Sequence, residues 1–276
     1  MPTLLAAMFD GDSSKTLRQA QCDKHEYILR SVDFNPGTRL LDIGCGWGGL
    51  LKTVADSGGF GTGVTLSSAQ LRACCRNGLE VHLMDWKDLR PETFGTFDAL
   101  ASIGAFEHFC NEEEFNAGNQ EVIYARFFSV SHSLLRPSGK LFLQTMLWGR
   151  RAPKAVNISL NAPKGSDEYV VAVLKKFYPG SCLPIDVEQI TRTAAPHFRL
   201  ISSRNGKADY IRTMTEWGTQ MWRFRARQLF AYLDLLKWVL TNRDARHKVE
   251  SLVASYNRES FKRELMDHER LVFERV

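Results

Sequence analysis

Along the first two-thirds of the chain, short apolar runs alternate with amphipathic ones, the signature of a parallel sheet covered by helices. Ser13-Ser14 are placed to cap a helix through Leu17, Ala20, His25 and Leu29 that ends before Asn35-Pro36-Gly37. Arg39-Leu40-Leu41-Asp42-Ile43 reads as a buried strand opening into Gly44-Cys45-Gly46-Trp47-Gly48-Gly49. A helix follows to about Ser57 and is stopped by Gly58-Gly59. Further strands are expected at 61–65, 80–84, 97–102 and 140–145. Ser67 caps the helix after the second strand, and Pro137-Ser138-Gly139 turns the chain into the last.

From Gly149 to Asp167 the pattern gives way to a polar loop, long enough to expect a function or mobility there. A helix at 168–177, a turn at 178–184, a helix near 186–195 and a strand at 198–202 follow. Beyond Tyr210, a helical stripe of Trp217, Met221, Phe224, Leu229, Leu233, Leu236 and Leu240 is widened by Trp222, Phe230, Tyr232 and Trp238. Residues 270–276 read as a closing strand. The chain is thus expected to be one domain over 1–276, with a core of about 15–148, 198–203 and 270–276. A helical substrate or lid lobe takes about 149–197 and 211–268.

At 44% hydrophobic and 24% charged, the 276 residues hold enough apolar material for one core, which excludes a disordered or collagen-like chain. The longest apolar candidate, Phe230 to Leu240, contains Asp234 and Lys237 and falls short of the ~20 residues a bilayer span needs. Met1 to Phe9 has no basic leader. The six cysteines show no CxxC pair or zinc-like spacing, so no metal is expected, and a reduced cytoplasmic protein is. The net charge of +5 lies entirely beyond residue 203, where 15 Lys and Arg face 10 Asp and Glu. That excess points either to an anionic partner or to a solvated basic helix face.

Asp42-Ile43-Gly44-Cys45-Gly46-Trp47-Gly48-Gly49 is the most informative stretch. A strand that runs through glycines into a helix lets a nucleotide approach bare backbone and a helix N-terminus. Its spacing fits both the dinucleotide pattern and the D-x-G-x-G-x-G of S-adenosylmethionine (SAM) enzymes. A dinucleotide enzyme wants an acid at the end of strand two, where this chain has Thr65-Leu66-Ser67. Its acid instead precedes the glycines at Asp42, in reach of the amino-acid end of SAM, and Met84-Asp85-Trp86 offers an acid and an indole for an adenine. SAM is the better fit.

Leu40 to Gly48, then Gly63-Val64-Thr65-Leu66-Ser67 with Gln70, then Ser102-Ile103-Gly104-Ala105-Phe106-Glu107-His108-Phe109 resemble the cyclopropane-fatty-acid synthase and mycolic acid methyltransferase family. Phe177-Tyr178-Pro179-Gly180 with Leu183-Pro184, and Asp209-Tyr210-Ile211-Arg212-Thr213 before Trp217, extend the likeness over roughly residues 6 to 225. The resemblance implies an α/β, Rossmann-like class I SAM-dependent fold of seven strands, the last antiparallel, with the helical lobe inserted before it. SAM is then held by Asp42, Gly44, Gly46, Gly48, Thr65, Leu66, Gln70, Asp85, Trp86 and Ile103. Lipid alkenes are the family's typical substrates.

An alkene attacking the SAM methyl becomes a carbocation, so such an enzyme needs a water-poor cavity with negative or π-rich groups. Glu107 and Tyr210 match family positions at that site. The family also holds a bicarbonate that removes the proton for ring closure, using a Cys, the Glu, a His, an Ile backbone and the Tyr. Here the His position is Gln144, the Ile position Met146, and the Cys position falls at about Ala6. The expected product is therefore methylated in place of a cyclopropane, with Gln144, Met146, Trp217 and Met221 lining the substrate. Family members carry helices over the site before this point, and this chain begins at their end.

Other readings stand beside this one. Glu107 is also compatible with a plain helix-start carboxylate, and Cys45 with a small packed residue. Plant alkaloid N-methyltransferases, which resemble this family, use a Glu-His pair where Glu107-His108 stand, so N- or C-methylation of a small metabolite is the alternative. A nucleic-acid methyltransferase is more distant, because no base-flipping or RNA-binding motif is present, and no nucleic-acid partner is expected. A non-catalytic SAM-fold binder is opposed by the intact glycine turn. The aromatic and arginine residues Trp222-Arg223-Phe224-Arg225-Ala226-Arg227 suggest a wall for an apolar substrate that can rest on anionic membrane or on acyl carrier protein.

Overall fold

The computed structural model describes residues 6–154, 157–221, 241 and 255–276. Seven strands form one sheet: β1 Arg39–Ile43, β2 Phe60–Thr65, β3 Glu80–Leu83, β4 Phe97–Ile103, β5 Leu135–Trp148, β6 Phe198–Asn205 and β7 Met266–Arg275. Their order is β3-β2-β1-β4-β5-β7-β6. The first five are mutually parallel, and β7 runs antiparallel to both β5 and β6. This is the seven-stranded sheet that the resemblance implies.

Helices cover both faces because the parallel strands are apolar on both. Leu41, Ile43, Leu100, Leu141, Leu143 and Phe273 point to one face, against Tyr124, Phe127 and Phe128 of α6 (Gln120–Leu134). Leu40, Ala99, Ala101, Phe142 and Val272 point to the other, against Ile28 and Leu29 of α1 (Leu17–Ser31). Between strands run α2 (Gly49–Asp56), α3 (Ser68–Arg76), the short α4 (Pro91–Phe94) and α5 (Glu112–Asn116). Then come α7 (Asp167–Phe177), α8 (Val187–Ala194), α9 (Lys207–Met221) and α10 (Tyr256–Lys262). No helix among the described residues is long and apolar enough to cross a membrane.

Several expected boundaries shift. Thr16, not Ser13 or Ser14, caps α1: its hydroxyl accepts from Gln19 N while Gln19 Oε1 accepts from Thr16 N at 2.9 Å. That reciprocal box needs Gln three residues on, which Ser13 and Ser14 lack. Nor do Pro137-Ser138-Gly139 precede β5. The strand begins at Leu135, and Ser138 adopts φ +59° where the pairing with β4 jumps from Phe97–Leu135 to Ala99–Lys140. The turn residues serve as an irregularity inside the strand. Helix α8, expected in the lobe, packs Ile190 and Ala194 into the main core instead, and β7 starts four residues before the expected strand. A separate small core of Tyr169, Val170, Val173, Leu174, Tyr256 and Leu265 joins α7 to α10.

A strap at Ala6–Asp10 crosses the α1 face of the sheet. Ala7 N donates to Thr213 Oγ1 at 2.9 Å, and Phe9 N and Asp10 N donate to Asp209 Oδ1 at 2.9 and 3.0 Å. The fully buried Arg270 locks the strap to β7, pairing with Asp209 at 2.9 Å and donating to Ala7 O at 3.0 Å. Removing one partner of a buried pair strands the other charge, so Arg270→Met should cost about 3 kcal/mol in urea unfolding. Adding Asp209→Asn should recover part of that loss. An unchanged midpoint in the single variant would refute the lock.

Candidate active site

Strands β1 to β4 end along one edge of the sheet, and the strand order reverses between β1 and β4. That is the place where open α/β sheets bind ligands. The strand ends and the turns after them enclose a cavity of about 640 Å³. It is lined by Asp42 on β1 with Gly44 and Gly46 after it, Thr65 at the end of β2 with Leu66 and Gln70 after it, Asp85 and Trp86 after β3, and Ile103 on β4.

Gly48, the remaining expected cofactor position, does not line it. It caps α2 at φ +79°, where a Cβ would sit 2.5 Å from Leu79 Cδ1 and 3.0 Å from Cys74 Sγ. Turn geometry and close packing, not ligand contact, require glycine there. Gly46 differs: at φ +55° it has no atom within 4 Å of a Cβ position, so its bare backbone stands open. Thr65 Oγ1 donates to Gln70 Oε1 at 2.6 Å, and Ser67 caps α3 as expected. Trp86 is held by the core while lining the cavity, its ring 5.1 Å from Phe109 and 5.6 Å from Phe127.

Sequence reading passes over other lining residues. Lys87 and Glu114, paired at 3.0 Å, are far apart in the chain and carry no motif. Lys24 had a legible signal: it is a charge at i, i+4 between Ala20 and Ile28, both fully buried on the inner stripe of α1. Lys24 is itself fully buried, and burial with the neighbouring Arg270 pulls its ammonium down to about 7. Burial pushes the Asp42 carboxyl up to about 7.

The loop after β4 holds Glu107 and His108, two of the residues expected to be catalytic. His108 lines the cavity, hydrogen-bonds Ser181 Oγ at 2.8 Å, and is shifted by burial toward its neutral form. Glu107 is 1% exposed and does not line the cavity. Its carboxylate accepts from Thr145 Oγ1 at 2.9 Å and from Met146 N, yet burial outweighs both and pushes it up to about 7. Tyr210 stacks on Phe261 with ring centroids 4.2 Å apart, and burial, Tyr178 and Glu107 raise its phenol. Ala6 and Met146 complete an apolar cluster with Tyr210 and Phe261. Glu107, Tyr210, Met146 and Ala6 therefore meet, as the resemblance expects. Gln144 is buried on β5 opposite Arg270. Trp217 is half-buried on α9 and off the cavity lining. The Met221 side chain and the aromatic run 222–240 lie outside the described residues.

The family model for mycolic acid cyclopropane synthetase matches residues 3–232. The chain is 31% identical over 213 residues to the cyclopropane-fatty-acyl-phospholipid synthase of Escherichia coli (strain K12), covering 75% of this chain and 47% of that protein. It thus spans about half the length of that relative. It is 26% identical over 215 residues to the S-adenosylmethionine-dependent methyltransferase UmaA of Mycobacterium tuberculosis, covering 75% of this chain and 70% of that one. The cyclopropane synthase MmaA2 from Mycobacterium tuberculosis superposes with a TM-score of 0.74 at 22% identity, over 99% of this chain and 90% of that one. The mycolic acid cyclopropane synthase CmaA1, complexed with SAH and CTAB, gives 0.74 at 24% identity, over the same shares. From the matched length and the shared sheet, the chain belongs to the mycolic acid cyclopropane synthetase family and has the class I SAM-dependent methyltransferase fold.

Proposed function

We propose that this chain is a SAM-dependent methyltransferase acting on a C=C carbon of a lipid or other large apolar substrate, and that it releases a methyl-branched alkene in place of a cyclopropane. The observation that carries the reading is Glu107: a carboxylate buried among Thr145, Met146 and Tyr210, with apolar Ala6 and Met146 and the amide Gln144 where the family's bicarbonate ligands stand. The cavity residues fit the cofactor. Gly46 offers open backbone, Asp42 an unpartnered buried oxygen among the described residues, and Asp85 and Trp86 an acid and an indole for the adenine.

When bound, SAM supplies an electrophilic methyl on a sulfonium. Attack of the alkene π pair on that methyl, with the S–CH₃ pair left on sulfur, would leave a cation on the neighbouring chain carbon. Glu107 and Tyr210 lie behind the cavity lining, so substrate would have to part the Ala6, Met146 and Phe261 cluster, where the Tyr210 ring and the Glu107 carboxylate would stabilise that charge away from water. Glu107 then takes a proton from the next chain carbon, and the C–H pair becomes the new double bond. Loss of a proton from the added methyl would close a ring instead.

A second reading, N-methylation of a small amine, is favoured by one observation: His108 lines the cavity and burial favours its neutral, proton-accepting form. Labelled methyl transfer from SAM separates the two. Unsaturated phospholipid vesicles should take up label, more from anionic than from neutral membranes, because the basic excess beyond residue 203 suits an anionic surface or carrier protein. Label entering only amines would replace the lipid reading with the second.

A further inference from the structure

On the sheet face that α1 covers, polar atoms of Lys24, Asp42, Gln144, His268 and Arg270 are buried without a hydrogen-bond partner among the described residues. The last four share the face by register: Asp42 pairs with Ala101, Ile103 with Gln144, Gln144 with Arg270, and Met146 with His268. Arg270 already spends its charge on Asp209. Among the described residues, neither Lys24 nor Asp42 touches a counter-ion. Their charges feel each other, yet no ion pair joins them among the described residues, and both line the 640 Å³ cavity beside the glycine turn. Unpaired buried charges cost several kcal/mol each, so a fold that keeps one of each sign at one cavity is built for a ligand that supplies both partners.

We infer that Lys24 and Asp42 form a receptor for the zwitterionic amino-acid end of SAM, the Lys24 ammonium holding the α-carboxylate and the Asp42 carboxylate holding the α-ammonium. The inference rests on the SAM reading of the cavity and adds the residue that reads the carboxylate. A ligand with no charge, or with one, would leave a buried ion uncompensated. Binding restores both: burial pulls Lys24 and pushes Asp42 toward their neutral forms, and each opposite charge reverses that.

Calorimetry with three ligands tests it: SAM, decarboxylated SAM, which keeps the amine alone, and 5′-methylthioadenosine, which lacks both charges. Lys24→Met should weaken SAM about 30-fold or more, as truncating one side of a buried charge pair does, and leave the other two unchanged. Asp42→Asn should weaken SAM and decarboxylated SAM together and spare methylthioadenosine. Methionine keeps most of the stem and removes an unpaired buried charge, so the variant's melting temperature should hold or rise. An unchanged SAM affinity in Lys24→Met, or an equal loss for all three ligands in a variant with unaltered melting, would overturn the assignment. Wild-type protein that binds none of the three would overturn the cofactor reading itself.

Discussion

Glu107→Gln should lower turnover by about two to four orders of magnitude, the usual cost of losing a general base, while leaving SAM affinity unchanged. It should also make the protein more stable. Burial moves the carboxyl from 4.5 to about 7, so between those values the native state holds a proton that the unfolded chain has released. Stability from this group is therefore fully present below pH 4.5 and is lost as pH rises through about 7. By pH 8 the native carboxylate costs on the order of 3 kcal/mol. The amide escapes that cost while still accepting from Thr145 Oγ1. The variant should melt above wild type at pH 8, with the gap closing toward pH 5. Activity should move oppositely, rising with pH through about 7 as the base ionises. Tyr210→Phe should cost no more than about tenfold, since only the hydroxyl leaves and the ring stays stacked on Phe261. A Glu107→Gln enzyme with full turnover, or a melting gap independent of pH, would remove Glu107 from the mechanism.

Gly46→Val should abolish SAM binding, with no measurable heat in calorimetry and the far-ultraviolet spectrum unchanged. The space at Gly46 is open, so no neighbouring atom among the described residues blocks a Cβ; what a side chain would meet is the ligand approaching the backbone. The φ of +55° adds a second penalty, because a β-branched residue is strained there. Normal affinity in this variant would move the cofactor away from the glycine turn.

The strand ends were legible because β1, β2 and β4 are short, largely buried runs that end at glycine or threonine, and the ligand cavity forms where they stop. Nine expected cofactor residues fall there for that reason. Gly48 misled because spacing marks a glycine without saying whether a ligand or a neighbouring side chain needs the room. Lys24 was missed for the opposite reason: a helix read by its apolar positions hides the one charge placed among them. Ser138 shows that turn residues inside a strand look the same as a turn before it. The pairing of Arg270 with Asp209, and of both with the strap at Ala7 to Asp10, joins residues up to 263 positions apart and has no local signature.

The proposed reaction should end by direct deprotonation and not by ring closure. The two products are isomers of equal mass, so proton NMR of purified lipid is the deciding measurement. Unsaturated phospholipid incubated with the enzyme and methyl-labelled SAM should give a methyl-branched lipid that keeps olefinic protons and takes up hydrogen on mild catalytic reduction. Its yield should not respond to added bicarbonate. Upfield ring protons in the product, formed faster when bicarbonate is added, would contradict the account.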